Sequence, residues 1–254
     1  MIQTIYKKGP ISINHVWYLK DESEIKKLNK ADAYFLHGVS GIEPAGVSLR
    51  KEQNTLISDL TIDQEIAWTK LSRTFKNHIN RCIKEERKFE IFTSSDIEKN
   101  EEVVNKFISA YNQMYSSKGM NTVFNKAQFD AYVKENAVWL CTAYIQDEPV
   151  VFHAYIVDDK NARLWYSCSN FREEKEIAAE IGRLNKFLHW QEMVCFGEKG
   201  IKNYDWGGVD FDNPKVKGIS EFKAQFGGEP VTYDNIIFCK NPVVRFLIRL
   251  IIKL

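Results

Sequence analysis

Two residues stand out for proton chemistry. His153 sits in the middle of the strand-like run 150–157, with Tyr155 on the same face, because alternate strand residues share a side. Imidazole as a group titrates near neutral pH, which suits a general base; the alternative reading of His153 is a satisfied core histidine. Asp205 ends the run 203–206 and stands just before Gly207-Gly208. A strand end opening into glycines lets a ligand approach the backbone closely, and a carboxylate there can accept a proton or hold an amine. Trp206, Gly207 and Gly208 would then line the substrate. Asp210 and Asp212 follow in a loop, where solvation explains them. Tyr166, beside Trp165 in the run 163–169, offers a further polar tip to a substrate. His189 shares a helix with Phe187 and Trp190 and reads as a core histidine.

Anion chemistry has its own candidates. Between residues 70 and 88, Lys70, Arg73, Lys76, Arg81, Lys84, Arg87 and Lys88 face only Glu85 and Glu86. Seven cations against two anions is a local excess in a chain with 35 Lys+Arg and 34 Asp+Glu. Phosphate oxygens of a nucleotide sugar, a lipid diphosphate or a tRNA fit such a helix, with Arg73 and Arg81 as contacts. Arg172 and Lys175 stand at the start of a long helix from 174, and a helix start with cations is a workable cofactor pyrophosphate site.

These residues need elements to hold them. Residues 1–60 read as short strands and turns, with apolar or β-branched runs at 11–19, 33–36 and 55–60. A long helix is expected over 63–88, capped by Asp63, with Trp68, Leu71, Phe75, Ile79 and Cys82 on one buried face. A strand at 89–92 and helices at 101–115 and 125–134 follow. Strands at 138–145, 150–157 and 163–169 form an antiparallel meander, separated by 147–149 and 158–161. A helix over 174–196, a strand at 203–206, a helix over 217–225 stopped by Gly227-Gly228, and a strand at 231–240 complete the order. In the tail 242–254, Arg245, Arg249 and Lys253 form a stripe among apolar residues. That fits a membrane interface, a partner subunit (a second copy of the chain included) or a simple core helix.

The 254 residues are 44% hydrophobic and 27% charged, an ordinary globular composition. The charge balance excludes a global nucleic-acid or membrane signal. Five cysteines (Cys82, Cys141, Cys168, Cys195, Cys239) form no CxxC pair and no zinc spacing, so buried thiols in a reducing compartment are expected. No signal peptide and no 20-residue apolar run is read, which places the protein in the cytoplasm.

The C-terminal motifs carry a resemblance. Tyr204-Asp205-Trp206-Gly207-Gly208, then Gly218-Ile219-Ser220-Glu221-Phe222-Lys223 and Phe226-Gly227, resemble the Fem-type aminoacyl transferases of the GNAT superfamily. The basic helix behind Asp59-Leu60 looks like the same group, and sugar N-acyltransferases of polysaccharide gene clusters are similar. The resemblance implies an α+β fold: a mixed, largely antiparallel sheet flanked by helices. It divides the chain into a truncated GNAT-like module at 1–86 carrying the basic helix, a complete module at 87–240, and an amphipathic helix at 241–254. It further implies an N-acyltransferase of surface-polysaccharide biosynthesis, passing an acyl group from acyl-CoA to a nucleotide-linked amino sugar. Lys223, the motif lysine, would stabilise negative charge, with Asp205 or His153 handling the proton and no metal required. The rival readings are a Fem-like transferase using aminoacyl-tRNA and a peptidoglycan precursor, and a non-catalytic membrane-associated scaffold.

Overall fold

The computed structural model describes residues 1–170 and 175–252. Along the chain run β1 (Ile2–Lys8), β2 (Ile11–Trp17), β3 (Ala33–Val39), β4 (Val47–Asp59), α1 (Gln64–Lys70) and α2 (Arg73–Lys84). Then come β5 (Phe89–Phe92), α3 (Ser94–Ile97), α4 (Glu101–Ser117), α5 (Lys126–Lys134), β6 (Val138–Ile145), β7 (Glu148–Val157) and β8 (Asn161–Ser169). The chain continues through α6 (Lys175–Glu198), β9 (Asn203–Val209), α7 (Lys217–Ala224), β10 (Glu229–Phe238) and α8 (Pro242–Ile252). Two compact units result: residues 1–55, 127–135 and 230–254, and residues 56–126 and 136–229.

In the first unit the strand order is β1-β2-β3-β10-β4. β2 and β3 are parallel; β1 pairs with β2, and β10 with β3, antiparallel. β4 begins earlier than its apolar half announces, because the polar stretch from Arg50 to Gln53 also lies in strand. Tyr34 stacks on Phe238 in a core with Val16, Leu36 and Ile236. α8 does not turn its arginines outward as a charged stripe. Arg245 donates to the Cys239 carbonyl (3.2 Å) and Arg249 to the Val47 carbonyl (2.9 Å). Ile248 is buried with Ala33 and Cys239, while Val243, Phe246 and Leu247 are exposed. Gly46 permits this docking: at φ +84°, a Cβ there would lie 2.4 Å from the Cys239 carbonyl oxygen. Lys253 lies outside the described residues.

The second unit carries the order β4-β9-β8-β7-β6-β5. β5 to β8 form the expected antiparallel meander, and β9 joins β8 in parallel. The turn between β6 and β7 is tighter than 147–149. Glu148 and Pro149 are already paired across a bulge, and Gln146 takes the positive φ of 55°. α6 packs on the sheet through Leu184, Leu188 and Phe196, all fully buried, and α2 packs on α6. Each such side chain contributes about 1.5–3 kcal/mol.

One correction concerns the long helix expected over 63–88. It is two helices. Asp63 caps α1 as expected, accepting from the Glu65 N–H at 2.7 Å. Leu71 then turns extended (ψ 144°), and Ser72 starts a new helix by accepting the Phe75 N–H at 3.2 Å. The break buries Leu71 in the core while α2 buries Phe75, Ile79 and Cys82. The five cysteines are free thiols, four of them buried. Among the described residues no helix is long and apolar enough to cross a membrane.

Candidate active site

The site forms where two parallel strands part. β8 and β9 share three pairs: Asn161 with Asn203, Ala162 with Tyr204, and Arg163 with Asp205. The last pair carries an ion pair between buried side chains, Arg163 Nη1 to Asp205 Oδ2 at 2.5 Å. The other Asp205 oxygen accepts the Gly207 N–H at 2.9 Å. Gly207 lies at φ +69°, and a Cβ there would stand 2.8 Å from the Leu164 carbonyl oxygen. Only glycine tolerates both conditions. β9 therefore does not end before Gly207-Gly208, as the sequence suggested, but runs through them to Val209.

α7 brings Lys223 to the same point. Its ammonium donates to the Gly208 carbonyl at 2.9 Å. Burial pushes this lysine down from 10.5 to about 8; the nearby Arg163 charge acts in the same direction, and Asp205 opposes it. Ser220, buried, fixes the start of α7: it donates to the Asp210 carbonyl (3.0 Å) and accepts the Asp210 N–H (2.8 Å). Asp210 itself accepts the N–H groups of Asp212 and Asn213, a turn carboxylate.

Across β8, the register with β7 shifts between Ala154 and Tyr155, so Trp165 is the extra residue of a bulge. Tyr166 stacks on Trp165 (4.4 Å between rings) and packs edgewise on Tyr111 at 5.1 Å. Trp206 is wholly buried and donates its indole N–H to Ser58 at 2.9 Å, which makes it core rather than lining.

His153 is likewise inside. It belongs to a sealed network between β7, β9 and α6, which also takes in His189. His153 Nδ1 meets the Glu192 carboxylate at 2.8 and 3.0 Å, and its Nε2 meets Asn185 Oδ1 at 2.8 Å. Tyr155 donates to Glu192 at 2.5 Å, and His189 Nδ1 meets the Tyr204 hydroxyl at 2.7 Å. Burial would raise the Glu192 carboxyl, but His153 and then His189 outweigh it and hold the group below 4.5. His189 is pushed down to about 3, first by burial and then by His153. His153, His189 and Glu192 have the composition of a metal-ligand trio, with ligand atoms within 4.8 Å of one another. His153 Nδ1 and the Glu192 carboxylate meet at 2.8 Å, a direct hydrogen bond.

Three of the seven cations in the basic stretch are ion-paired. Arg81 and Arg87 both reach Glu85, Arg87 also pairs with Glu180, and Lys88 with Glu90. Arg73 is exposed at the first turn of α2. Arg172 and the side chain of Lys175 lie outside the described residues.

Sequence reading missed Arg163, Asn185 and Glu192. Arg163 interrupts an otherwise apolar stretch from Ala162 to Trp165, and a charge there needs a partner. Glu192 lies four residues before Phe196 and four after Leu188, on the buried stripe of α6. Those interruptions were the available signals.

No protein-family model matches the chain, and no curated protein matches it. Among solved structures, FemX is similar over 97% of this chain and 86% of its own, at 12% identity and a TM-score of 0.62. The C-terminal domain of an Agrobacterium fabrum protein assigned as a lysylphosphatidylglycerol synthetase is similar over 98% and 83%, at 15% identity and a TM-score of 0.60. L-PGS from Bacillus licheniformis is similar over 98% and 85%, at 12% identity and a TM-score of 0.54. The chain therefore shares the mixed α+β fold of FemX and of these two synthetase structures, a large, mostly antiparallel sheet flanked by helices, as its C-terminal motifs led one to expect.

Proposed function

We propose that the protein transfers an acyl or aminoacyl group onto an amine, at the point where β8 and β9 part. The observation that carries this reading is the convergence of Lys223, the Arg163–Asp205 pair and the Gly207-Gly208 backbone at one strand junction. Fold likeness to FemX and L-PGS along nearly the whole chain supports a Fem-like transferase using aminoacyl-tRNA. The second reading takes acyl-CoA as donor and a nucleotide-linked amino sugar as acceptor. The three-rung ladder favours it, because strands that part early suit an extended donor laid between them.

In either case the acceptor nitrogen attacks the donor carbonyl carbon, the carbonyl oxygen becomes an oxyanion, and the C–O or C–S bond to the carrier breaks. The amine proton leaves as the carrier departs protonated. Lys223 is a cation at neutral pH and faces the developing oxyanion. Both oxygens of Asp205 are engaged, so it holds Arg163 and the Gly207 backbone in place rather than taking the proton. His153, sealed in its network, positions α6 against the sheet. Arg73 and Arg81 on α2, together with Arg172 and with Lys175 at the first position of α6, are assigned to the phosphates of the donor or acceptor.

The test is single-turnover transfer from each donor class to amine acceptors. Lys223→Met should slow the chemical step at least tenfold with donor binding retained. Equal rates in the two proteins would remove Lys223 from the reaction.

A further inference from the structure

α2 and α6 run side by side, and two contacts fix how they face. At one end Arg87 pairs with Glu180. At the other, the Lys186 ammonium lies 5.1 Å from the centre of the Phe75 ring. The helices are therefore antiparallel here, and the residues between these anchors oppose one another: His78 on α2, and Arg183 on α6. Phe75 and His78 share one face of α2 at three-residue spacing, as Arg183 and Lys186 share one face of α6.

The chemistry gathered there is one-sided. Lys186, Arg183 and Arg81 are all electrostatic neighbours of His78, and Arg183 is one of Lys186. The two nearby acids are already committed, Glu85 to Arg81 and Arg87, and Glu180 to Arg87. Arg183 has no salt bridge among the described residues. Lys186 donates one hydrogen bond, to the Gly182 carbonyl at 2.9 Å, leaving two of its three donors. His78 Nδ1 is a buried polar atom with no hydrogen-bond partner among the described residues. Above the helix backbone at Gly182 there is open space: a Cβ would meet nothing within 4 Å.

We propose that His78, Arg183 and Lys186 form an anion subsite between α2 and α6 that takes a diphosphate group. Unpaired like charges around an unsatisfied buried nitrogen are relieved by a polyanion that accepts from all of them. Arg183 and Lys186, one helical turn apart, present donors about 5–6 Å apart at their stems. That spacing suits two linked phosphates better than one. Guanidinium and ammonium together supply planar and point-charge contacts. Burial first, and then the charges of Lys186, Arg183 and Arg81, hold His78 below its ordinary 6.5, so a bound diphosphate draws a proton onto it.

The assignment is independent of the transferase reading, and its test uses binding alone. The whole protein is titrated at constant ionic strength with inorganic pyrophosphate, phosphate and sulfate, following the His78 ring by NMR and the melting temperature. The expected result is saturable binding, tightest for pyrophosphate by at least tenfold, with His78 titrating at higher pH when loaded. Arg183→Gln and Lys186→Met should each weaken pyrophosphate at least tenfold, while Lys51→Gln, at an exposed lysine of β4, should leave it unchanged. Far-UV circular dichroism checks that the variants are folded; Lys186→Met keeps the packing on Phe75 should a shorter residue fail. Equal, unsaturable responses to the three anions, a His78 titration blind to pyrophosphate, or a folded Arg183→Gln variant with unchanged binding would overturn the subsite.

Discussion

Replacing Lys223 with methionine separates the cost of the site from its use. In the folded protein this lysine is depressed from 10.5 to about 8, chiefly by burial. At about 1.36 kcal/mol per pH unit, that displacement sets a ceiling of about 3 kcal/mol. The side chain is only half-buried, and solvent screening reduces the figure to about 1–2 kcal/mol. The sign follows from proton counting. Between pH 8 and 10.5 the unfolded chain still holds the proton that the folded chain has released, so wild-type stability rises with pH across this window. Below pH 8 the folded state carries the penalty in full. Methionine has no such penalty, but it loses the hydrogen bond to the Gly208 carbonyl, a loss of about 1 kcal/mol at either pH. Urea unfolding at pH 7 and pH 10.5 isolates the ionisation, because every other group titrates alike in the two proteins. The wild type should gain about 1–2 kcal/mol on the variant between these pH values. A difference that stays constant would show that Lys223 is not a buried cation and would refute the reasoning.

Other outcomes follow from the same contacts. Arg163→Ala strands a buried carboxylate and should cost about 3–5 kcal/mol in chemical denaturation. Asp205→Asn keeps the shape but loses the ion pair, and turnover should fall at least tenfold with the circular dichroism spectrum preserved. Gly207→Ala forces a Cβ against the Leu164 carbonyl oxygen at positive φ, and melting should show a loss of about 1–3 kcal/mol together with a lower kcat. Glu192, held below 4.5, contributes stability that is full above pH 4.5 and drains as the pH falls through its folded value. Glu192→Gln should therefore flatten the acid limb of the stability profile relative to the wild type; parallel limbs would contradict the network described here.

Much of the fold was legible because local pattern and tertiary demand agree. β5 and β6 begin and end where their apolar runs do, and Asp63 caps a helix as its position suggests. The motif helix α7 and the Gly207-Gly208 pair were found through short-range residue identity, although the strand runs on through the two glycines. What stayed hidden depends on long-range register. Nothing local says that β9 pairs with β8 in parallel, so nothing local joins Arg163 to Asp205 across 42 residues. Whether His153 is a general base or a satisfied core histidine could not be decided from the sequence, because strand alternation cannot reveal that α6 covers that face with Asn185 and Glu192. The break at Leu71-Ser72 was masked by a helical periodicity that resumes in phase on its far side. Within the seven-cation stretch the pairing of Arg87 was not legible, since its partner Glu180 lies 93 residues away.

The central claim is that acyl transfer occurs where Lys223 meets the Gly207-Gly208 backbone. The most direct measurement is single-turnover transfer of a labelled acyl group from aminoacyl-tRNA and from acyl-CoA to amine acceptors, comparing wild type with Lys223→Met. The account predicts product from one donor class, and at least a tenfold slower chemical step in the variant with donor affinity unchanged. Transfer that is absent with both donors, or that proceeds equally well without the Lys223 ammonium, would contradict it.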